Sequence, residues 1–269
     1  LDALAQSLVE TRRVKAVPKS RNGKIAVLAD IHANLDALEA VLAQPEVQQA
    51  DSILVLGDNV GYGPDPEACV QRLASLPNVV GLRGNHDAAS VDPEAIARFT
   101  KDALWVIEWT RPRLSESSRE WLKALPLEQR GEGWMAVHGA PVDPQRMYGY
   151  VYQMTCEDNF GAMDLEGVSL AFHGHTHIAG AWVTKRRPYL GGHILGADVV
   201  KLAEYHLALV CPGSVGQPRD KGVGAGYAMF DPATKSVAFR RVNYDYASVQ
   251  SRMQNYGFRS GVIRRLSGE

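Results

Sequence analysis

Ile25-Ala26-Val27-Leu28-Ala29 runs straight into Asp30-Ile31-His32, and the same design recurs down the chain. Ile53 to Leu56 ends in Gly57-Asp58, and Val79 to Leu82 ends in Arg83-Gly84-Asn85-His86-Asp87. Trp134 to Val137 ends in His138-Gly139. Val168 to Phe172 ends in His173-Gly174-His175-Thr176-His177, and Leu207 to Val210 ends in Cys211-Pro212-Gly213-Ser214. Short apolar runs without strict alternation suit strands buried on both faces. Helical patterns separate the early runs, which makes the chain an α/β protein. Polar groups at the carboxyl ends of neighbouring strands in such a protein converge on one crevice.

Working outward, Asn34 can cap a helix that presents Leu35, Leu38, Val41 and Leu42 on one side. Asp65-Pro66 and Asp92-Pro93 each read as an N-cap followed by proline in the first turn. The second of these predicts a helix from Pro93 to about Trp109, and another follows from about Glu116 to Ala124. The second half reads as strand-rich: 178–183, 199–202, 205–210, 227–230 and 236–242, with Asp231-Pro232 opening a turn and a last helix from Tyr246. Residues 1–22 read as an N-terminal extension, 23–243 as the domain proper, and 244–269 as a C-terminal helical segment of that domain.

The 269 residues carry 29 Lys and Arg against 30 Asp and Glu, a net charge of −1. This balance argues against general nucleic-acid binding, which needs a basic face. Cys69, Cys156 and Cys211 form neither a disulfide framework nor a zinc ribbon. They fit a reducing compartment, and residues 1–22 lack the apolar stretch of a signal peptide, so the expectation is a cytoplasmic protein. Gly167 to Thr184 has no charged side chain, but its His173, His175 and His177 exclude a membrane span.

The strand ends collect Asp30, His32, Asp58, Asn85, His86, His138, His175 and His177. Each alone is commonplace; the ordered set is not. His175 and His177 stand two apart, so in an extended segment they point the same way. Mixed imidazole and oxygen donors without thiolate suit Mn, Fe, Zn, Co or Ni, and suit Ca or Mg poorly. The donors are too many for one tetrahedral ion, and two ions sharing a bridging carboxylate would use them all. Such a pair is the clamp used to transfer a phosphoryl group to water.

The succession Asp30-x-His32, Gly57-Asp58, Gly84-Asn85-His86-Asp87, His138 and Gly174-His175-x-His177 resembles the calcineurin-like metallophosphoesterase superfamily over roughly 24–243. Gly57 to Pro64 and Pro212 to Val215 resemble its small bacterial phosphoesterases of the YfcE and MJ0936 type, often assigned as phosphodiesterases or relatives of diadenosine tetraphosphatases. The resemblance implies a four-layer α/β/β/α sandwich with two mixed β-sheets and a di-metal site at the sheet ends. It implies two divalent transition metal ions, manganese first among them. Asp30, His32, Asp58 and His177 would hold one ion; Asp58, Asn85, His138 and His175 the other, with Asp58 bridging. A water activated between them would attack phosphorus. His86 would protonate the leaving oxygen or hold the phosphate.

Other candidates carry two readings each. Asp87 orients His86 or serves its loop, and Arg83 contacts phosphate or lies on the surface. Tyr62 touches substrate or packs its turn. Tyr148, Tyr150 and Tyr152 stack a nucleobase or cover the core. The protein phosphatases of the superfamily carry Asp and Arg where this chain has Gly61 and Tyr62. The missing fork argues against a dedicated protein phosphatase. The expected partner is a small phosphorylated substrate, a phosphodiester or phosphomonoester such as a nucleotide, with no general nucleic-acid binding and no membrane. A scaffold or a slow nucleotide-binding protein on the same fold is the alternative; a scaffold has no need of the whole donor set.

Overall fold

Three parallel strands open the chain: β1 (Ile25–Leu28), β2 (Ser52–Val55) and β3 (Val79–Gly81). The computed structural model describes residues 23–96, 99–189, 191–195 and 198–268; the expected extension 1–22 lies outside the described residues. The first sheet runs β3-β2-β1-β11-β12-β9, in which β11 (Ala225–Asp231), β12 (Ser236–Val242) and β9 (Val199–Lys201) add antiparallel pairs. The second runs β4-β5-β6-β10-β7-β8. Its centre, β5 (Trp134–Val137), β6 (Leu170–Phe172) and β10 (Leu207–Cys211), is parallel; β4 (Glu128–Gly131), β7 (Gly180–Thr184) and β8 (Gly192–Ile194) are antiparallel to their neighbours. Both sheets are therefore mixed.

Alternation along each strand decides the layers. Val27, Leu54, Leu56, Phe172, Val210 and Phe230 fill the space between the two sheets. The intervening residues Leu28, Ile53 and Val55 face outward and pack on α1 (Leu35–Leu42) and α3 (Pro66–Ser75) through Leu38, Val41 and Leu73. On the far side, Val137, Leu207 and Leu209 pack on Phe160 and Met163 of α7 (Cys156–Leu165). Each such fully buried side chain contributes about 1.5–3 kcal/mol, and a one-residue slip would turn the whole set to the wrong face. The result is a helix, sheet, sheet, helix sandwich.

Asn34 caps α1 by accepting from Ala37 N–H at 3.1 Å. Short α2 (Pro45–Gln48) follows. The helix expected from Pro93 begins instead at Lys101, as α5 (Lys101–Thr110), because Thr100 is its cap and accepts from Ala103 N–H. Asp92 closes α4 (Asn85–Val91): its N–H donates to Ala88 O at 2.8 Å, and its side chain accepts from Glu94 N–H at 2.9 Å. The expected helix after Glu116 is α6 (Glu116–Ala124), and the strand at 236–242 and the helix from Tyr246, α8 (Tyr246–Asn255), stand where the sequence puts them. The C-terminal segment continues through α9 (Ser260–Arg264) into a 3-10 turn, Arg265–Ser267. Val249, Met253, Phe258, Val262 and Leu266 from this segment pack around Tyr62, Ala103 and Val106. No helix among the described residues is long and apolar enough to cross a membrane.

Candidate metal centre

Every expected donor follows the carboxyl end of a parallel strand, and backbone pairing carries on past the strands to hold these ends in line. Asp30 N–H donates to Gly57 O at 3.1 Å, His32 N–H to Asp58 O at 2.9 Å, and Gly174 N–H to His138 O at 2.9 Å. The donors then bend sharply: Asp30, His32, Asp58, His175 and His177 have φ of 53°, 48°, 53°, 64° and 60°. Non-glycine residues in the left-handed region cost of order 1–3 kcal/mol each and persist where the surroundings over-determine them. Their gathering here marks the site.

Two triads result, Asp30 with His32 and His177, and Asp58 with His138 and His175, each with donor atoms within 4.8 Å of one another. Asp58 joins them. Its Oδ2 lies 3.4 Å from His138 Nε2 and 3.7 Å from His32 Nε2. Asn85 adds its Oδ1, 3.0 Å from His138 Nε2. Gly84 permits this closeness, since a β-carbon there would stand 2.2 Å from Asp58 Oδ1.

Three imidazoles are fixed from behind. His32 Nδ1 meets Val60 O at 3.2 Å, His138 Nδ1 meets Leu56 O at 2.8 Å, and His177 Nδ1 meets Gln217 O at 2.6 Å. A carbonyl only accepts, so Nδ1 carries the proton in each, and in His32 and His177, which burial keeps neutral, Nε2 presents a lone pair. His32 Nε2 and His177 Nε2 nevertheless lie 3.1 Å apart. Two lone pairs at that distance repel unless a proton or cation lies between them. The spacing matches neighbouring nitrogens around one ion at ~2.0–2.1 Å, which fall roughly 3–3.4 Å apart. Asp30 Oδ2 is buried without a partner, an acceptor left for the same cation.

The charges agree. Burial holds the His32 and His177 imidazoles well below their usual range and takes His175 down to about 3, keeping them in the neutral, ligating form. Burial opposes ionisation of Asp58, but the charges of His138 and His86 and the hydrogen bond from His138 outweigh it, and its carboxyl sits well below the usual range. Burial raises Asp30 to about 7. His138, although buried, is raised to about 9 beside Asp58, so its Nε2 holds the proton that a cation bound there would displace. These residues fit a pair of divalent cations.

A model of the calcineurin-like phosphoesterase family matches residues 23–179. The chain belongs to this family. The uncharacterized protein MJ0912 of Methanocaldococcus jannaschii is 35% identical over 225 residues, 82% of this chain and 88% of that protein. A metallophosphoesterase from Sphaerobacter thermophilus superposes with a TM-score of 0.78 at 33% identity, covering 92% of this chain and 99% of that one. Hypothetical protein PH1004 from Pyrococcus horikoshii shares the fold, with a TM-score of 0.72 at 23% identity over 90% of this chain and 97% of its own. This calcineurin-like metallophosphoesterase is a hydrolase of phosphoester bonds.

The remaining expected residues divide. The His86 ring stands beside the first triad, with centroids 5.0 Å from His32, 4.6 Å from Tyr62 and 5.0 Å from Phe99. Burial takes its pKa down to about 4, and its Nδ1 has no partner. Asp87 does not orient it by a hydrogen bond: its oxygens accept from Asn59 N–H at 2.8 Å, Asn59 Nδ2 at 2.8 Å, Val60 N–H at 3.2 Å and Gly84 N–H at 2.9 Å. Asp87 is the bolt between the two loops that carry Asp58 and His86. Arg83 points away, donating to Lys123 O at 3.3 Å, and lines a separate cavity of about 460 Å³ with Lys123, Asp92 and Met147.

Tyr62 packs on the C-terminal helices and sets its ring 4.8 Å from His32. Tyr150 lies on His175, centroids 4.3 Å apart, and is 45% exposed. Tyr152 is exposed, whereas Tyr148 donates to Ala95 O at 2.8 Å and meets Phe99 edge-on. Gln217 and Arg219 were not singled out from the sequence. Pro218-Arg219 after the β10 strand end is the signal that was there to be read.

Proposed function

We propose that the protein hydrolyses a small phosphodiester or phosphomonoester, with a nucleotide such as diadenosine tetraphosphate as the favoured class. The reading rests on one observation above all: His32 Nε2 and His177 Nε2 face each other at 3.1 Å with both Nδ1 atoms already donating to carbonyls. Asp30, His32, Asp58 and His177 would hold one divalent ion, and Asp58, Asn85, His138 and His175 the other. Two such ions polarise phosphoryl oxygens and lower the pKa of a water. Manganese suits the imidazole, carboxylate and amide donors.

Asp58 contributes to both halves of the site and sets their spacing. His86 starts neutral, with its pKa near 4. A phosphoryl group brings negative charge that favours protonation of this imidazole, which then gives its proton to the leaving oxygen or holds the phosphate. The exposed face of Tyr150 beside His175 is the support for a nucleotide, since a base can stack on it. The three cysteines are buried and unpaired, in keeping with a cytoplasmic protein.

The test is hydrolysis with added Mn²⁺ on protein whose bound metals have been counted. The panel holds a chromogenic monoester, a chromogenic diester and diadenosine tetraphosphate. Turnover lost in His86→Ala supports the proposal, and the preferred member names the substrate class. Two bound metals with no turnover on any of the three would refute it in this form.

A further inference from the structure

Arg219 enters the site on the loop after β10, and that loop is tied to donors from both sheets. Ser214 Oγ and Gly216 N–H both donate to Asp30 O, at 2.8 and 3.0 Å. Gln217 O takes His177 Nδ1, and Arg219 N–H donates back to His177 O at 3.2 Å. The backbone of Arg219 is thus fixed against Asp30 and His177 together.

Its side chain has no counter-ion. Nε is buried and without a hydrogen-bond partner, and no carboxylate pairs with the guanidinium among the described residues. The adjacent Asp220 would be the natural partner, but its Oδ2 is taken by Arg241 at 2.6 Å and by Ala179 N–H at 3.3 Å. Arg219 N–H donates to the carbonyl of His177, a donor of the first triad, so the residue stands beside the metal centre. An uncompensated cation beside a site built for two more cations is costly. An anion that enters with the substrate removes that cost. Tyr62 stands where the protein phosphatases of the superfamily carry arginine, and Arg219 stands beside the same metal centre on another loop.

We propose that Arg219 grips the phosphoryl oxygens of the substrate, supplying from the β10 loop the fork that Tyr62 does not. This rests on the phosphoesterase reading. A guanidinium matches two phosphoryl oxygens at once, which an ammonium does not.

The test is direct binding of inorganic phosphate to the Mn²⁺-loaded protein by calorimetry, with metals counted on every variant. Arg219→Met should weaken phosphate about tenfold or more, with metal content unchanged. Arg219→Lys should fall between, keeping the charge without the fork, and it carries the comparison if Arg219→Met loses metal. Arg265, exposed on the same rim and 3.4 Å from Gln217 Oε1, is the control for general charge; Arg265→Ala should stay within about twofold of wild type. Equal affinity in Arg219→Met and wild type overturns the proposal. So does an equal loss in Arg265→Ala, and so does a metal-loaded wild type that binds no phosphate. Phosphate binding that depends on Arg219 without any phosphoester turnover would sink the phosphoesterase reading and leave the assignment standing. Turnover with unchanged phosphate affinity in Arg219→Met would do the reverse.

Discussion

Asp58 accepts a hydrogen bond from His86 N–H at 2.8 Å through Oδ1 and turns Oδ2 toward His138 and His32. One oxygen therefore pins the loop that carries His86, while the other lies between the two triads. The same carboxylate fixes the His86 loop and joins the two triads.

Replacing that carboxylate should empty both sites together. In Asp58→Asn, the bound metal is expected to fall from two ions per chain to near none, and hydrolysis with it. Chelation should lower the melting temperature of wild type, because a ligand that binds only the folded state stabilises it. It should leave the melting temperature of Asp58→Asn almost unchanged. Elemental analysis and thermal melts check this, and loss of only one ion would break the bridging assignment.

His86 should be separable from the metals. Its ring contacts Tyr62, Phe99 and the flank of His32, and its own nitrogens meet no donor of either triad. His86→Ala is expected to keep both ions and to lose about 10²–10⁴ in kcat. A metal-depleted His86→Ala protein would instead make the imidazole a ligand.

Gly61 and His86 form a second testable pair. Gly61 has φ of 90°, and a β-carbon on it would stand 2.4 Å from His86 Nδ1. Gly61→Ala must push the ring aside and also strain the backbone by about 1–2 kcal/mol. A displacement near 1 Å costs about 10²-fold in rate, so kcat should drop by that order while metal content stays. Full activity in Gly61→Ala would show that the ring position is unimportant.

The donors were legible because strand burial and strand-end chemistry both leave marks in one dimension. Ile25 to Ala29 is apolar because both its faces are covered, and Asp30 follows because the strand ends there. Other features leave no such mark. Leu56, Val60 and Gln217 hold imidazoles through backbone carbonyls, which any residue offers. The left-handed turns at Asp30, His32 and Asp58 contradict local preference and are imposed by the pairing of adjacent loops. Helix α7 was hidden because Cys156, Asn159, Phe160 and Met163 are buried without a clean apolar stripe, and Gly161 interrupts it. Asp92-Pro93 imitated a helix start while closing the preceding helix. Arg219 drew no attention because its meaning lies in the carboxylate it lacks, and Asp220 beside it is spent on Arg241.

Tyr150 offers the clearest test of the leaving group. Its ring covers His175 on one side and is open to solvent on the other. Stacking of a base on an aromatic face is worth about 1–3 kcal/mol, which corresponds to about 5- to 150-fold in kcat/KM. Tyr150→Ala should therefore impair diadenosine tetraphosphate by that factor and a small chromogenic diester far less. Tyr148→Ala should affect both substrates alike, since its hydroxyl holds Ala95 O and its ring meets Phe99. Metal content must stay at the wild-type value, because the Tyr150 ring also shields a donor of the second triad. Equal loss on both substrates would reduce Tyr150 to a cover for His175 and remove the case for a nucleotide.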